Sequence, residues 1–195
     1  MIKYFNIDRN LNIVLTEDKK VSTKELEQIF ISEINATTNV IYDLNKISGK
    51  QYRFKIDYNN YEVELIAVIK NITGAGWENK PNVKRVQVRN CMLEDNENIS
   101  KSNINKLNVI IGVYCYDNNP IFVAWDAYRY YNHKTQRSCY VTTDSLIQGY
   151  KKKFYDGIDS SQKIWIFKGD CFAKFVNSYV EYIGGNKLNE WCRNN

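Results

Sequence analysis

Between Lys80 and Asn90 the chain reads KPNVKRVQVRN, with four cations (Lys80, Lys84, Arg85, Arg89) and no carboxylate. A strand over 83–89 would send alternate side chains to opposite faces. Val86 and Val88 then point to a core, and Arg85, Gln87 and Arg89 form an outward row. An arginine can donate two hydrogen bonds to guanine O6 and N7, and a glutamine can exchange two with adenine N6 and N7. Lys80, Lys84 and, further on, Lys134 are expected to neutralise phosphates and set orientation, with Arg137 joining Arg85, Gln87 and Arg89 in reading base edges. Gly74 and Gly76, just upstream, would let backbone approach a phosphate closely. The alternative is a solvated strand face whose charge serves solubility. Faces of that kind usually carry both signs, and this one carries only positive charge.

A second cationic stretch, WDAYRYYNHKTQR over 125–137, interleaves aromatics with Arg129, His133, Lys134 and Arg137. No acidic residue occurs from Ala127 to Thr143. Tyrosines such as Tyr131 can stack on bases or donate to phosphate oxygens, and a histidine beside phosphate gains positive charge. Asp126 is expected to orient Arg129 or to cap a turn. The competing reading is an irregular connection whose tyrosines fold back on the core, with Tyr128 or Tyr130 inward and Lys134 and Arg137 outward. Trp77 and Trp125 are candidate walls of a pocket for a base turned out of the helix. Lys151, Lys152 and Lys153 fit the last turn of a helix, where cations suit the dipole. The three segments hold ten Lys and Arg residues, twice the net charge of +5, so the remainder of the chain is net negative. Positive charge gathered in this way is the electrostatic footprint that nucleic acid requires.

Catalytic patterns are weaker. An acid followed by acid-x-Lys on the next strand can hold a metal and orient water. Asp8 with Glu17-Asp18-Lys19 has that shape, as does Glu78-Asn79-Lys80, but such short patterns arise by chance in a chain rich in these residues. The single histidine, His133, excludes histidine-rich metal nucleases, and no phosphate-binding glycine loop of the GxxxxGK[ST] type occurs. Five widely spaced cysteines form no CxxC pair, so they read as reduced core residues. No catalytic residue, metal site or cofactor (none) is assigned from the sequence; the enzyme question stays open, with catalysis expected from a linked or partner module.

The elements that must position these residues follow from periodicity. The 195 residues, 44% hydrophobic and 25% charged, suit a globular α+β protein. No apolar run approaches the roughly 20 residues that span a bilayer, and MIKYFNIDRN lacks the features of a signal peptide, so a cytoplasmic protein with no membrane partner is expected. Short strands over 2–16 break at Asp8-Arg9-Asn10. Ser22 and Glu25 form a capping box, with Val21 stapled to Leu26, opening a helix through Ile29, Phe30 and Ile34. Residues 51–57 and 61–70 read as a hairpin, 107–116 as a central strand, and 121–126, 138–142 and 162–168 as further strands. A short helix covers 144–153. A last helix is expected to open at Asp170 as N-cap and to end at Gly184-Gly185. The expected architecture is a curved, mostly antiparallel sheet or open pseudobarrel of about seven strands with about three packed helices. Residues 1–50 hold N-terminal strands and a helix that can belong to the same domain, 51–185 the DNA-binding domain, and 186–195 a tail.

The order GWENKPNVKRVQV, then VIIGVYCYDNNPIFVAWDAYRYYNHKTQRSCYV, then KIWIFKGDCFAKFVNSYVEYI resembles the DNA-recognition domains of bacterial restriction systems, of the DNA-binding pseudobarrel type. The resemblance covers roughly residues 60–183 and leaves the first 50 unmatched. It implies sequence-specific binding of double-stranded DNA, methylated or not, with cleavage left to a nuclease or GTPase module in cis or trans. On matching positions it points to Arg85, Gln87, Arg89, His133, Lys134 and Arg137. Three other readings stay open: a reader of methylated bases with an aromatic pocket, a small metal-dependent nuclease, and a protein-interaction adaptor with the tyrosines as hot spots.

Overall fold

A computed structural model describes residues 2–35, 41–48, 51–58, 61–88, 106–130 and 137–194. A hairpin of β1 (Tyr4–Ile7) and β2 (Ile13–Thr16) leads to α1 (Thr23–Asn35). Then come β3 (Ile41–Ser48), β4 (Gln51–Tyr58), β5 (Tyr61–Asn71), β6 (Thr73–Gly74) and β7 (Val83–Val88). After these run β8 (Lys106–Tyr116), β9 (Asn119–Asp126), a 3-10 turn over Ala127–Tyr130, β10 (Arg137–Thr142) and α2 (Thr143–Lys152). The chain closes with β11 (Phe154–Asp159), β12 (Gln162–Phe167), a 3-10 turn over Gly169–Cys171 and α3 (Phe172–Asn194).

Seven strands form an open sheet in the order β11-β12-β9-β8-β5-β4-β3. Every pairing is antiparallel except β5 with β8. Two small sheets accompany it, β1-β2 and β10-β7-β6. The architecture is therefore the expected α+β arrangement of an open, mostly antiparallel sheet with three packed helices, enlarged by five short strands.

The central strands carry apolar residues at successive positions because both faces of the sheet are covered. On one face Leu107, Val109, Ile111 and Val113 of β8 meet Phe122, Ala124, Trp165 and Phe167, under Leu26, Phe30 and Ile34 of α1 and Phe172, Phe175 and Tyr179 of α3. On the other face Ile110, Tyr114, Ile121, Val123, Trp125, Ile164 and Ile166 pack against Ile7, Val86, Val88, Cys139, Val141 and Leu146. The small β10-β7-β6 sheet thus lies with one side on this second core and its other side away from it.

The capping box forms as expected: Ser22 N–H donates to Glu25 Oε2 (2.8 Å) and Glu25 N–H to Ser22 Oγ (3.2 Å). Two helix limits differ from expectation. Asp170 does not cap α3; it lies inside the preceding 3-10 turn and pairs with Lys153 at 3.1 Å. Gly184-Gly185 does not end α3, which continues to Asn194; a glycine inside a helix costs about 1 kcal/mol relative to alanine and does not by itself stop it. No helix among the described residues is long and apolar enough to cross a membrane.

Candidate nucleic-acid interface

The two cationic stretches meet because β7 pairs with β10. Tyr140 lies opposite Arg85, Ser138 opposite Gln87 and Arg137 opposite Val88. On the far side of β7, Thr73 of β6 is also opposite Arg85. Paired residues of an antiparallel ladder share a face, so Thr73, Arg85, Gln87, Ser138 and Tyr140 form one surface. Burial alternates along β7 in keeping with this: Lys84, Val86 and Val88 are buried, Arg85 is half-buried and Gln87 is exposed. Arg137 is exposed at the start of β10. Among the described residues no carboxylate pairs with Arg85, Arg137 or Lys80.

The β6–β7 loop adds an aromatic to this surface. Trp77 remains 39% exposed and stacks on Tyr140, with centroids 5.3 Å apart and planes at 26°. Lys80 Nζ lies over the indole, 5.5 Å from its centroid. The loop turns through Gly76 at φ 85°, a left-handed conformation that glycine adopts without steric cost. Its stem is fixed by Ala75 N–H to Val83 O (3.0 Å), Phe5 N–H to Pro81 O (2.9 Å) and Thr143 N–H to Asn82 O (2.9 Å). The same loop exposes Glu78. Tyr140 is held in turn, its N–H donating to Gln162 Oε1 (3.3 Å) and its carbonyl accepting from Trp125 Nε1 (3.1 Å). Arg129, exposed on the 3-10 turn, donates to Ser161 O (3.2 Å) in the β11–β12 turn, one residue before Gln162. Asp126 caps that 3-10 turn by accepting from Tyr128 N–H at 2.9 Å, and burial pushes its carboxyl above the usual range.

Two expected site residues lie elsewhere. Lys84, read as a phosphate ligand, is fully buried. Its ammonium donates to Asp18 Oδ1 (2.5 Å) and Asn6 Oδ1 (2.8 Å) and sits 5.1 Å from the Tyr4 ring and 5.8 Å from Tyr114. Burial pushes its pKa down, and Asp18 pulls it back up. Strand alternation explains the placement: Lys84 shares the phase of Val86 and Val88 and must face inward with them. Trp125, read as a pocket wall, is 1% exposed and faces the second core from β9, so Trp77 and Trp125 do not enclose a base. Tyr131, His133, Lys134 and Arg89 lie outside the described residues. Tyr140 was not singled out from the sequence. Its signal was the alternation of Ser138, Tyr140 and Thr142 with buried Cys139 and Val141.

In the first acid-x-Lys pattern, Asp8 and Asp18 serve local structure. Asp8 accepts from the backbone of Asn10 and Asn12 within its own turn. Asp18 holds Lys84 and the Gly74 N–H. Among the described residues no cluster of His, Cys, Asp or Glu could hold a metal ion.

The sequence profile of the methylase-associated X1 family matches residues 63–176. That span includes β7, β10, the Trp77 loop and the whole surface just described. No curated protein matches the chain, and no solved structure does. Because the match takes in more than half of the 195 residues, the chain belongs to the methylase-associated X1 family.

Proposed function

We propose that the chain is a sequence-specific, double-stranded DNA-binding domain that works beside a methylase in a restriction–modification system. The observation that supports this most is the pairing of β7 with β10, which sets Arg85 and Gln87 of one cationic stretch beside Ser138 and Tyr140 of the other on one face. Arg85 and Gln87 stand in line on that face and can address base edges in the major groove, which admits a β-ribbon. Lys80 on the β6–β7 loop, Arg129 on the 3-10 turn and Arg137 at the exposed start of β10, in the phase of Val88, are exposed cations that would supply phosphate contacts. Family membership supports the setting, since the family is described as methylase-associated. On this reading the chain selects the site, and chemistry on the DNA belongs to a linked or partner module.

The test is binding of the full chain to a random duplex library, with selected sites then measured by fluorescence anisotropy. Arg85→Ala should cost about 1–3 kcal/mol on the selected site and relax its sequence. Lys80→Ala should weaken all sequences alike and reduce the salt slope by about one. Absence of duplex affinity at low salt would remove the proposal.

A further inference from the structure

We infer that Trp77 is a one-sided stacking platform for a base turned out of the duplex, a deepening that rests on the DNA-binding reading above. In an intact duplex the faces of each base are taken by its neighbours, and a groove offers only edges. An aromatic face is therefore matched only by a base whose own face has been freed.

Trp77 meets the requirements of such a platform. One face of the indole is backed by Tyr140, so the ring is held before any ligand arrives, yet 39% of the residue stays exposed. Pre-organisation of this kind lowers the entropy cost of binding. Tyr140 is itself fixed through its backbone by Gln162 and Trp125, and the loop stem is tied to β1, β7 and α2. The backing ring lies opposite Arg85 in the ladder, so a base on Trp77 would lie within the same cationic surface. Lys80, over the ring at 5.5 Å, is exposed and can swing to the phosphate of the stacked nucleotide. Trp125 faces the core, so the base gains a floor and not a two-walled pocket.

The experiment compares three duplexes of one selected sequence: fully paired, carrying one bulged adenine, and carrying an abasic bulge at the same place. The full chain should bind the bulged adenine about tenfold more tightly than the paired duplex, the scale of one base–aromatic stack. The abasic bulge should lose that gain. Trp77→Ala should abolish the difference between bulged and paired DNA whatever it does to affinity for either, and Trp77→Phe should keep most of that difference. Equal affinity for paired and bulged DNA, equal affinity for the two bulges, or a gain that survives Trp77→Ala overturns the platform and leaves the groove-reading face standing. No binding to any duplex overturns both.

Discussion

Lys84 and Arg85 are adjacent in sequence, carry the same charge and have opposite fates. Arg85 stands on the outer face of the small sheet, while Lys84 runs under it to Asp18 and Asn6. The buried ammonium holds two segments to β7: β1 through Asn6, and the stretch before α1 through Asp18, which also accepts from Gly74 N–H on β6. Removing one partner of such a pair leaves the other uncompensated. Lys84→Met should therefore lower stability by about 3 kcal/mol in urea titration, and adding Asp18→Asn should recover part of the loss. Because Lys84 lies away from the exposed face, the same variant should leave the salt slope of DNA binding unchanged, whereas Lys80→Ala should reduce it. Equal slopes for both variants would contradict the assignment of phosphate contacts.

At the scale of elements, α2 is the support on which the reading sheet is set. Thr142 at the end of β10 is its N-cap, with Thr142 Oγ1 accepting from Ser145 N–H and donating to Asp159 Oδ2 at 2.8 Å. The helix approaches the main sheet so closely that a β-carbon on Gly149 would fall 2.3 Å from Ile166 Cγ2 and 2.9 Å from Ile166 Cβ. The Cβ contact belongs to a residue fixed in β12, so the conflict cannot be relieved by a rotamer. Gly149→Ala raises helix propensity by nearly 1 kcal/mol, but overpacking costs about 1–3 kcal/mol. The variant should be destabilised, by about 1 kcal/mol or more, in thermal or urea unfolding. A stabilised variant would mean that α2 is free to lift from β12.

The whole molecule is rich in tyrosine, with 15 in the chain, and several are structural. Tyr179 Oη donates to Asn108 O, Tyr150 Oη to Asn119 O and Tyr114 Oη to Asn6 Oδ1. Burial pushes the phenols of Tyr114, Tyr130, Tyr150 and Tyr179 above the ordinary value of 10.0. The unfolded chain releases these protons near pH 10.0, while the folded chain keeps them. Above that pH the unfolded state binds fewer protons, so stability is intact below it and falls as pH rises beyond it. Phenolate absorbance from these four residues should therefore appear together with alkaline unfolding, whereas ionisation of all the tyrosines in a chain that is still folded would contradict their burial. The family match ends at residue 176 and begins at 63, yet α1 fills the main core with Leu26, Phe30 and Ile34, so the parts outside the match complete the same hydrophobic interior.

Local chemistry was readable without a fold. The Ser22–Glu25 box, the turn at Asp117-Asn118, the central strand over 107–116 and the outward phase of Arg85 and Gln87 each depend on a few neighbouring residues, and the described residues carry all of them. The polar edge strands β3 and β11 were missed, because a strand with one open edge needs no run of apolar residues. The end of α3 was misplaced, because two glycines cost a helix about 1 kcal/mol each in propensity and do not by themselves stop it. Tertiary structure alone decided that β7 lies beside β10, that Tyr140 backs Trp77, that Trp125 is buried, and that Asp18 and Asn6 meet the inward Lys84. Periodicity states which residues share a side of one strand; which strand lies next to it, and what covers each side, is set by the packing of both cores at once.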